Sequence, residues 1–295
     1  MAQAIKSEYV HPEVLVDTQW VEDHLTDSKI RIAEVDYDPN SNYTLGHVPG
    51  AVLFHWKNDI NEPISRNILS RQAYEELLQK AGINTDTTLI LYGDFNNWFA
   101  AFAFWAFKYY GYKDVRILNG GRKKWLVEDR PISKDVPEYA KGNFIAPDDT
   151  NNNIRTFLNY VKESLYNKNG GALVDVRSPK EFTGEILAPP EYPTEHAQRG
   201  GHIPGAQNIP WAQAVNDSDG TFKSADELKR LYESKGITPD KKIITYCRIG
   251  ERSSHTWFVL KYLLGYPNVA NYDGSWTEWG NLIANPIERW KNPHV

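Results

Sequence analysis

The hydrophobic residues in the second half of the chain fall into short β-branched runs separated by an amphipathic stretch. ALVDV (172–176) and KIITY (242–246) are typical of strands buried in a parallel sheet. Between them, residues 224–237 place Leu228 and Leu231 on one face of a helix that begins at a serine and ends near a glycine. This alternation predicts a βαβ unit and an α/β fold.

The pattern continues beyond the second strand, at the point where the only cysteine of the chain lies. Cys247 directly follows the strand, and a helical pattern runs from about Ser253 to Gly265. VANYDG (269–274) then resumes a strand. We therefore predict Cys247 in a loop at the carboxyl edge of a parallel sheet, which is where open α/β sheets place their ligand sites.

The two halves of the sequence repeat one pattern. At an offset of 154 residues, LILY (89–92) falls on IITY (243–246). At an offset one residue larger, GHVPGA (46–51) meets GHIPGA (201–206). Matches that keep their order over so long a spacing indicate two copies of one domain and not a short-period solenoid.

We therefore predict an α/β protein of two tandem domains, each a parallel β-sheet flanked by helices on both faces. The length of 295 residues agrees with two domains, because single hydrophobic cores stop growing at about 250–300 residues. The predicted boundaries are 12–126 for the first domain and 154–286 for the second. The polar, proline-bearing residues 127–153 are predicted to link them.

Composition and charge exclude several classes of protein. A single cysteine can form neither an internal disulfide nor a multi-thiolate zinc site, and we expect no metal or other cofactor. The net charge of −5 and the scattered basic residues argue against a nucleic-acid surface. The chain starts without an apolar leader, and its most apolar run, 98–107, is too short to span a bilayer. We expect a cytoplasmic protein without a membrane partner.

The loop that follows Cys247 has the composition of an anion cradle. Its backbone N–H groups and the positive end of the next helix both favour a negative charge at the centre. Arg248 and Arg252 add charges that cannot be lost at any working pH. We therefore expect Cys247 to be a nucleophile with a lowered pKa. The alternative is a buried and inert thiol, which is what most free cysteines are.

The chain resembles the rhodaneses, thiosulfate sulfurtransferases with tandem domains, over nearly its whole length. The resemblance implies that the second copy is active and carries a persulfide on Cys247, while the first copy is degenerate. Gly93 and Asp94 stand in the first copy where Cys247 and Arg248 stand in the second. Five motifs carry the resemblance in order: GHVPGA (46–51), NGGRKKW (119–125), GHIPGA (201–206), CRIGER (247–252) and YDGSWTEW (272–279).

The resemblance implies covalent ping-pong sulfur transfer from thiosulfate to cyanide or a small thiol, without a cofactor. Cys247, Arg248 and Arg252 are the expected catalytic residues. We expect the Glu251 side chain to point outward and to pair with one of the two arginines. The further residues expected around the substrate are Ile249, Gly250, Glu251, Ser253, Arg177 and Trp276.

Two positions depart from the family pattern. Ile249 stands where animal thiosulfate enzymes have a lysine, and we expect Arg252 to compensate. Glu181 stands in the region where animal members have a substrate arginine. The residues considered as replacements are Arg177, Lys180 and Arg199.

Three other functions stay open. Family members that prefer 3-mercaptopyruvate tend to have an uncharged loop after the cysteine, so the basic CRIGER favours thiosulfate. Related cysteine phosphatases carry one residue more between cysteine and arginine than the four, 248–251, present here. A persulfide carrier or regulatory binding module, which hands sulfur to a protein acceptor, would use the same chemistry at Cys247.

Overall fold

The computed structural model describes residues 9–166, 171–190 and 197–289. The chain forms two compact units. The first comprises residues up to Asn151 together with Val215–Phe222, and the second comprises Asn152–Ala214 and the chain from Lys223 onward. Each unit contains a five-stranded sheet with parallel pairings throughout, which confirms the predicted α/β fold of two similar domains.

The sheet of the first unit has the strand order β1-β5-β4-β2-β3. Its strands are β1 (Leu15–Val16), β2 (Ile30–Asp36), β3 (Val52–His55), β4 (Thr88–Tyr92) and β5 (Val115–Leu118). Its α-helices are α1 (Thr18–Asp23), α2 (Arg71–Lys80), α3 (Trp98–Tyr109) and α4 (Gly121–Val127).

The sheet of the second unit repeats this topology in the order β6-β10-β9-β7-β8. Its strands are β6 (Arg155–Thr156), β7 (Gly171–Asp175), β8 (Gln207–Asn208), β9 (Lys242–Tyr246) and β10 (Val269–Tyr272). Its α-helices are α5 (Leu158–Tyr166), α6 (Pro179–Thr183), α7 (Ala225–Glu233), α8 (Glu251–Phe258) and α9 (Ser275–Trp279).

The predicted elements around the cysteine are present with small shifts. Strand β9 has the predicted bounds, and α7 begins after Ser224, whose side chain forms a capping box with Glu227. Helix α8 begins at Glu251, two residues before the predicted start, because Gly250 takes a left-handed backbone conformation and ends the loop there. A π-helical turn, Val259–Leu263, follows α8 in place of a continuous helix.

Aromatic residues form much of both cores. In the second unit, Tyr246 at the end of β9 packs in one buried cluster with Tyr272, Trp276 and Trp279. The predicted linker also contributes aromatic packing, since Phe144 is buried against Tyr112 and Tyr74 of the first unit. Among the described residues, no helix combines the length and apolarity needed to cross a bilayer.

Candidate active site

The cysteine loop joins the central strand β9 to helix α8. Cys247 follows the last residue of β9, and the chain turns into the helix at Gly250, whose φ is 100°. A Cβ on Gly250 would lie 2.8 Å from both Cα and Cβ of Asp273, so a larger residue would collide with the β10–α9 turn. The sequence therefore folds tightly here only because this position is glycine.

Three groups surround the sulfur of Cys247. The N–H of Gly250 donates to Sγ at 3.1 Å, and the hydroxyl of Ser253 lies 3.6 Å from it. On another side, Sγ is the donor to Oε2 of Glu251 at 3.4 Å. The thiol is fully buried. The sulfur therefore has the Gly250 N–H as a hydrogen-bond donor and the Glu251 carboxylate as an acceptor. The Ser253 hydroxyl is near the sulfur but donates its only proton to Oδ1 of Asn271 at 2.7 Å.

The backbone of the loop is held by the turn that precedes α9 and by α9 itself. The hydroxyl of Ser275 accepts the N–H of Cys247 at 3.1 Å and donates to the carbonyl of Tyr272 at 2.6 Å. The N–H groups of Trp276 and Thr277 donate to the carbonyls of Cys247 and Arg248. Ser275 is buried and has a φ of 48°, an uncommon conformation for a residue other than glycine.

A second polar cluster fixes the carbonyl of Gly250. Asn271 donates to it at 3.1 Å and accepts the hydroxyl of Ser253 at 2.7 Å, while Ser254 donates to the same carbonyl at 2.7 Å. Asn271 and Ser275 were missed by the sequence analysis as parts of the site. The signal for Ser275 was its place in the DGSW motif; Asn271 had none beyond its position at the end of β10.

Glu251 does not point outward, which corrects the expectation for this residue. Its side chain is 2% exposed, with Oε2 beside Sγ and Oε1 3.9 Å from Arg248 and 3.8 Å from Nε of Arg252. Pairing with the arginines is thus present, but it draws the carboxylate into the site. The reason is that α8 starts at Glu251, so its side chain leaves the first turn next to the sulfur.

The expected lowering of the cysteine pKa is also corrected. Burial raises the pKa of the Cys247 thiol, and the charge of Glu251 raises it further. The charge of Arg252 and the contacts of the sulfur with Ser253 act in the opposite direction without overcoming these effects. These surroundings therefore favour the neutral thiol over the thiolate.

The arginines are matched by carboxylates. Arg252 makes a bidentate ion pair with Glu181, with N–O distances of 3.0 and 2.9 Å. This contact lowers the pKa of Glu181 to about 2, although burial acts to raise it. Arg252 is thus engaged with the residue that replaces the family's substrate arginine. Arg248 is 3.9 Å from Glu251.

The three residues considered as replacements for the substrate arginine have other contacts. Arg177 binds Asp175 and the carbonyl of Gly201. Lys180 is exposed and pairs with Glu185. Arg199 donates to the backbone carbonyls of Trp279, Gly280, Leu282 and Asn285.

The remaining predicted substrate contacts lie in different places. Ile249, Gly250, Glu251 and Ser253 are all buried in the cysteine loop and the start of α8. Trp276 is 1% exposed, lies in the core cluster and donates to the carbonyl of Arg199 at 2.9 Å. The guanidinium of Arg177 lies 4.5 Å from its ring centroid. These contacts give no support to a substrate role for Arg177 or Trp276.

The equivalent loop of the first unit is built differently. The side chain of Asn97 accepts the N–H of Gly93 at 3.0 Å and donates to the carbonyl of Leu118 at 2.7 Å. Asp94 accepts from Asn42, and burial raises its pKa to about 7. The loop thus has Gly93 in place of the thiol, the carboxylate of Asp94 in place of the Arg248 cation and the amide of Asn97 in place of the Glu251 carboxylate.

A cavity of about 340 Å³ in the second unit lies at the opposite edge of the sheet. Its lining includes Gly171 and Lys242, the first residues of β7 and β9, and does not include Cys247. Within the three described ranges, no group of three or more histidine, cysteine or acidic residues is arranged to hold a metal ion.

The two parallel sheets share one topology, and Cys247 lies at the carboxyl end of the central strand of the second sheet. These features define a tandem α/β protein with a thiol site. The model of the Rhodanese-like domain matches the chain twice, at residues 17–128 and 158–282. The chain belongs to the rhodanese family, and the predicted resemblance is confirmed.

Relatives of similar length support this assignment. The sulfur carrier protein TtuD of Thermus thermophilus is 57% identical over 95% of this chain and 98% of its own. A protein of Saccharopolyspora erythraea, provisionally named thiosulfate sulfurtransferase, is 52% identical over 94% of this chain and 96% of its own. A protein of Haloferax volcanii with the same provisional name is 50% identical over 94% of this chain and 96% of its own.

Solved structures agree with the fold. The anaerobic ergothioneine biosynthesis enzyme of Chlorobium limicola, in complex with trimethyl histidine, matches with a TM-score of 0.84 and 28% identity. The match covers 96% of this chain and 72% of that enzyme. EanB with a cysteine persulfide and ergothioneine matches with a TM-score of 0.85 and 28% identity.

Proposed function

We propose that the chain is a sulfurtransferase that accepts the outer sulfur of thiosulfate as a persulfide on Cys247 and passes it to a thiophilic acceptor. The observation that carries the proposal is the hydrogen bond from the Gly250 N–H to Sγ, 3.1 Å long, at the amino end of α8. This donor would stabilise negative charge on the sulfur during attack and departure. The names of the relatives support sulfur transfer as the reaction class.

The choice of donor rests on the loop charges. Arg248 and Arg252 favour an anionic donor, while Glu251 and Glu181 offset their charge. Thiosulfate is our first candidate, and 3-mercaptopyruvate, which carries less negative charge, is the second.

The decisive experiment is an intact mass of the protein after incubation with thiosulfate. We expect one added sulfur atom that disappears when cyanide is added and that is absent in Cys247→Ser. Because Cys247 is the only cysteine, this variant contains no other thiol. A wild-type protein that gains no sulfur from thiosulfate or from 3-mercaptopyruvate contradicts the proposal. Cleavage of p-nitrophenyl phosphate would favour a phosphatase instead.

A carrier function has its own support in the name of the Thermus relative. A carrier should hold the persulfide stably and turn over slowly with cyanide, whereas a protein thiol acceptor should discharge it quickly. Comparing the two discharge rates on the isolated persulfide separates the carrier from the small-molecule enzyme.

A further inference from the structure

The side chain of Glu251 contacts the sulfur of Cys247, whereas its counterpart in the first unit, Asn97, binds the backbone. The 154-residue offset pairs Glu251 with Asn97, Cys247 with Gly93 and Ser275 with Gly121. In the first unit, Asn97 bridges the Gly93 N–H and the Leu118 carbonyl.

In the second unit the same bridge is made by another residue. Ser275 connects the Cys247 N–H to the carbonyl of Tyr272, the counterpart of Leu118 at the same offset. The bridge therefore does not need the side chain at the start of α8. Glu251 is directed at Sγ instead, at 3.4 Å.

A carboxylate beside the sulfur conflicts with a simple anion cradle. A dianionic donor would meet two negative charges, the Cys247 thiolate and the Glu251 carboxylate. Both of these side chains are buried, so water does not screen the repulsion. The conflict is removed if the carboxylate is protonated when the sulfur is ionised. The thiol proton can reach Oε2 directly, because Sγ already donates to it.

We propose that Cys247 and Glu251 share one proton, and that Glu251 takes it from the thiol when the sulfur donor is attacked; this inference rests on the function proposed above. In the attack, the S–H bond breaks and the proton moves to Oε2. The electron pair of Sγ forms a bond to the outer sulfur of thiosulfate. The S–S bond of thiosulfate breaks, and sulfite leaves with its electron pair. The proton on Glu251 then passes to the outer sulfur of the persulfide.

Several charged groups surround the pair formed by Cys247 and Glu251. Arg248 and Arg252 lie 3.9 and 3.8 Å from Oε1 of Glu251, on its own loop and helix. The charged or titratable groups on the neighbouring elements are Glu181 on α6, Asp175 and Arg177 at the end of β7, Asp273 with Arg155 at β10 and β6, and His255 on α8. Burial lowers the pKa of His255 to about 3, so it adds no charge near neutral pH.

The test is the pH profile of single-turnover persulfide formation. Quenched-flow mass spectrometry measures the rate at each pH between 6 and 8. Internal proton transfer keeps the wild-type rate nearly constant over this range. In Glu251→Gln the proton must leave to solvent, so the rate should rise about tenfold per pH unit below the thiol pKa. Exposed Glu233→Gln on α7 is the matched control and should keep the flat wild-type profile.

Two results overturn the inference. One is a wild-type rate that rises about tenfold per pH unit. This result can be obtained from the wild type alone, without any variant. The other is a flat profile in Glu251→Gln that matches the wild type. Either result leaves the proposed function intact, because a persulfide forms in both. Absence of any persulfide in the wild type instead contradicts the function itself.

Discussion

Arg252 and Glu181 face each other in a buried bidentate ion pair with N–O distances of 3.0 and 2.9 Å. The cation assigned to donor binding by the sequence is therefore held by the residue that departs from the family pattern. In the resting protein, Arg252 therefore connects the start of α8 to Glu181 on α6.

The ion pair predicts a large and non-additive effect of mutation. Arg252→Met leaves the Glu181 carboxylate buried without its partner, and should lower the free energy of unfolding of the second unit by about 3–5 kcal/mol. The double variant Arg252→Met/Glu181→Gln should recover much of this loss, because no buried charge is left unpaired. Urea unfolding of the four proteins in the cycle measures the coupling. Additive effects would contradict a direct interaction between the two side chains.

The same pair predicts a loss of stability in acid. The pKa of Glu181 is lowered from 4.5 to about 2, so its folded state favours the ionised form. This stabilisation is present above pH 4.5 and should be lost as the pH falls through the interval from 4.5 to 2. Unfolding free energies measured across that interval should fall more steeply in the wild type than in Glu181→Gln. Equal slopes would contradict the assignment.

Ser275 predicts a difference between two small substitutions. Ser275→Ala removes the hydroxyl that accepts the buried N–H of Cys247, which should cost about 1–3 kcal/mol of folding free energy. Ser275→Gly loses the same bond but relieves the left-handed backbone, so it should be more stable than Ser275→Ala by about 1 kcal/mol. Chemical denaturation measures both, with exposed Ser234→Ala as the control. The reverse order of the two variants would show that the backbone strain is unimportant.

The buried carboxylates of the first unit predict the opposite pH dependence. Burial and the mutual repulsion of these acids raise the pKa of Asp36 to about 8, that of Glu34 to about 7 and that of Asp94 to about 7. Their neutral forms are favoured in the folded state, so stability is present at low pH and should fall as the pH rises toward 8.

Asp36→Asn tests this directly, because asparagine keeps the acceptor that receives the N–H of Tyr43. Hydrogen exchange of peptides from β2 should show stronger protection in this variant than in the wild type at pH 8, and a smaller difference at pH 5. Exposed Asp23→Asn should change neither. If the variant gained more protection over the wild type at pH 5 than at pH 8, the result would argue against burial of an acid.

The degenerate loop predicts that a cysteine alone does not restore activity. A Cβ on Gly93 would lie 2.5 Å from the carbonyl oxygen of Val35, so Gly93→Cys should cost about 1–3 kcal/mol of stability. In a Cys247→Ser background, the new thiol should gain no sulfur from thiosulfate, because the acidic Asp94 follows it where the cationic Arg248 follows Cys247. Intact mass measures the sulfur, and uptake would contradict this explanation. Gly171→Cys is the stability control, since a Cβ there makes an ordinary 3.5 Å contact.

Local sequence determined the fold class, the repeat and the place of the thiol. Strand β9 has the bounds that its β-branched run predicts, and Ser224 with Glu227 sets the start of α7 through contacts within a few residues. The position of Cys247 after β9 follows from the same pattern. These features depend on neighbours along the chain, so a sequence pattern records them.

Tertiary structure alone decided which groups surround the thiol and how the charges of the site are paired. Glu251 faces Sγ because Gly250 starts the helix early and Ser275, from a distant turn, makes the backbone bridge in its place. Arg252 is bound by Glu181, 71 positions away along the chain. A pKa depends on burial and on the distances between charges in space, and neither quantity is recorded in the order of residues.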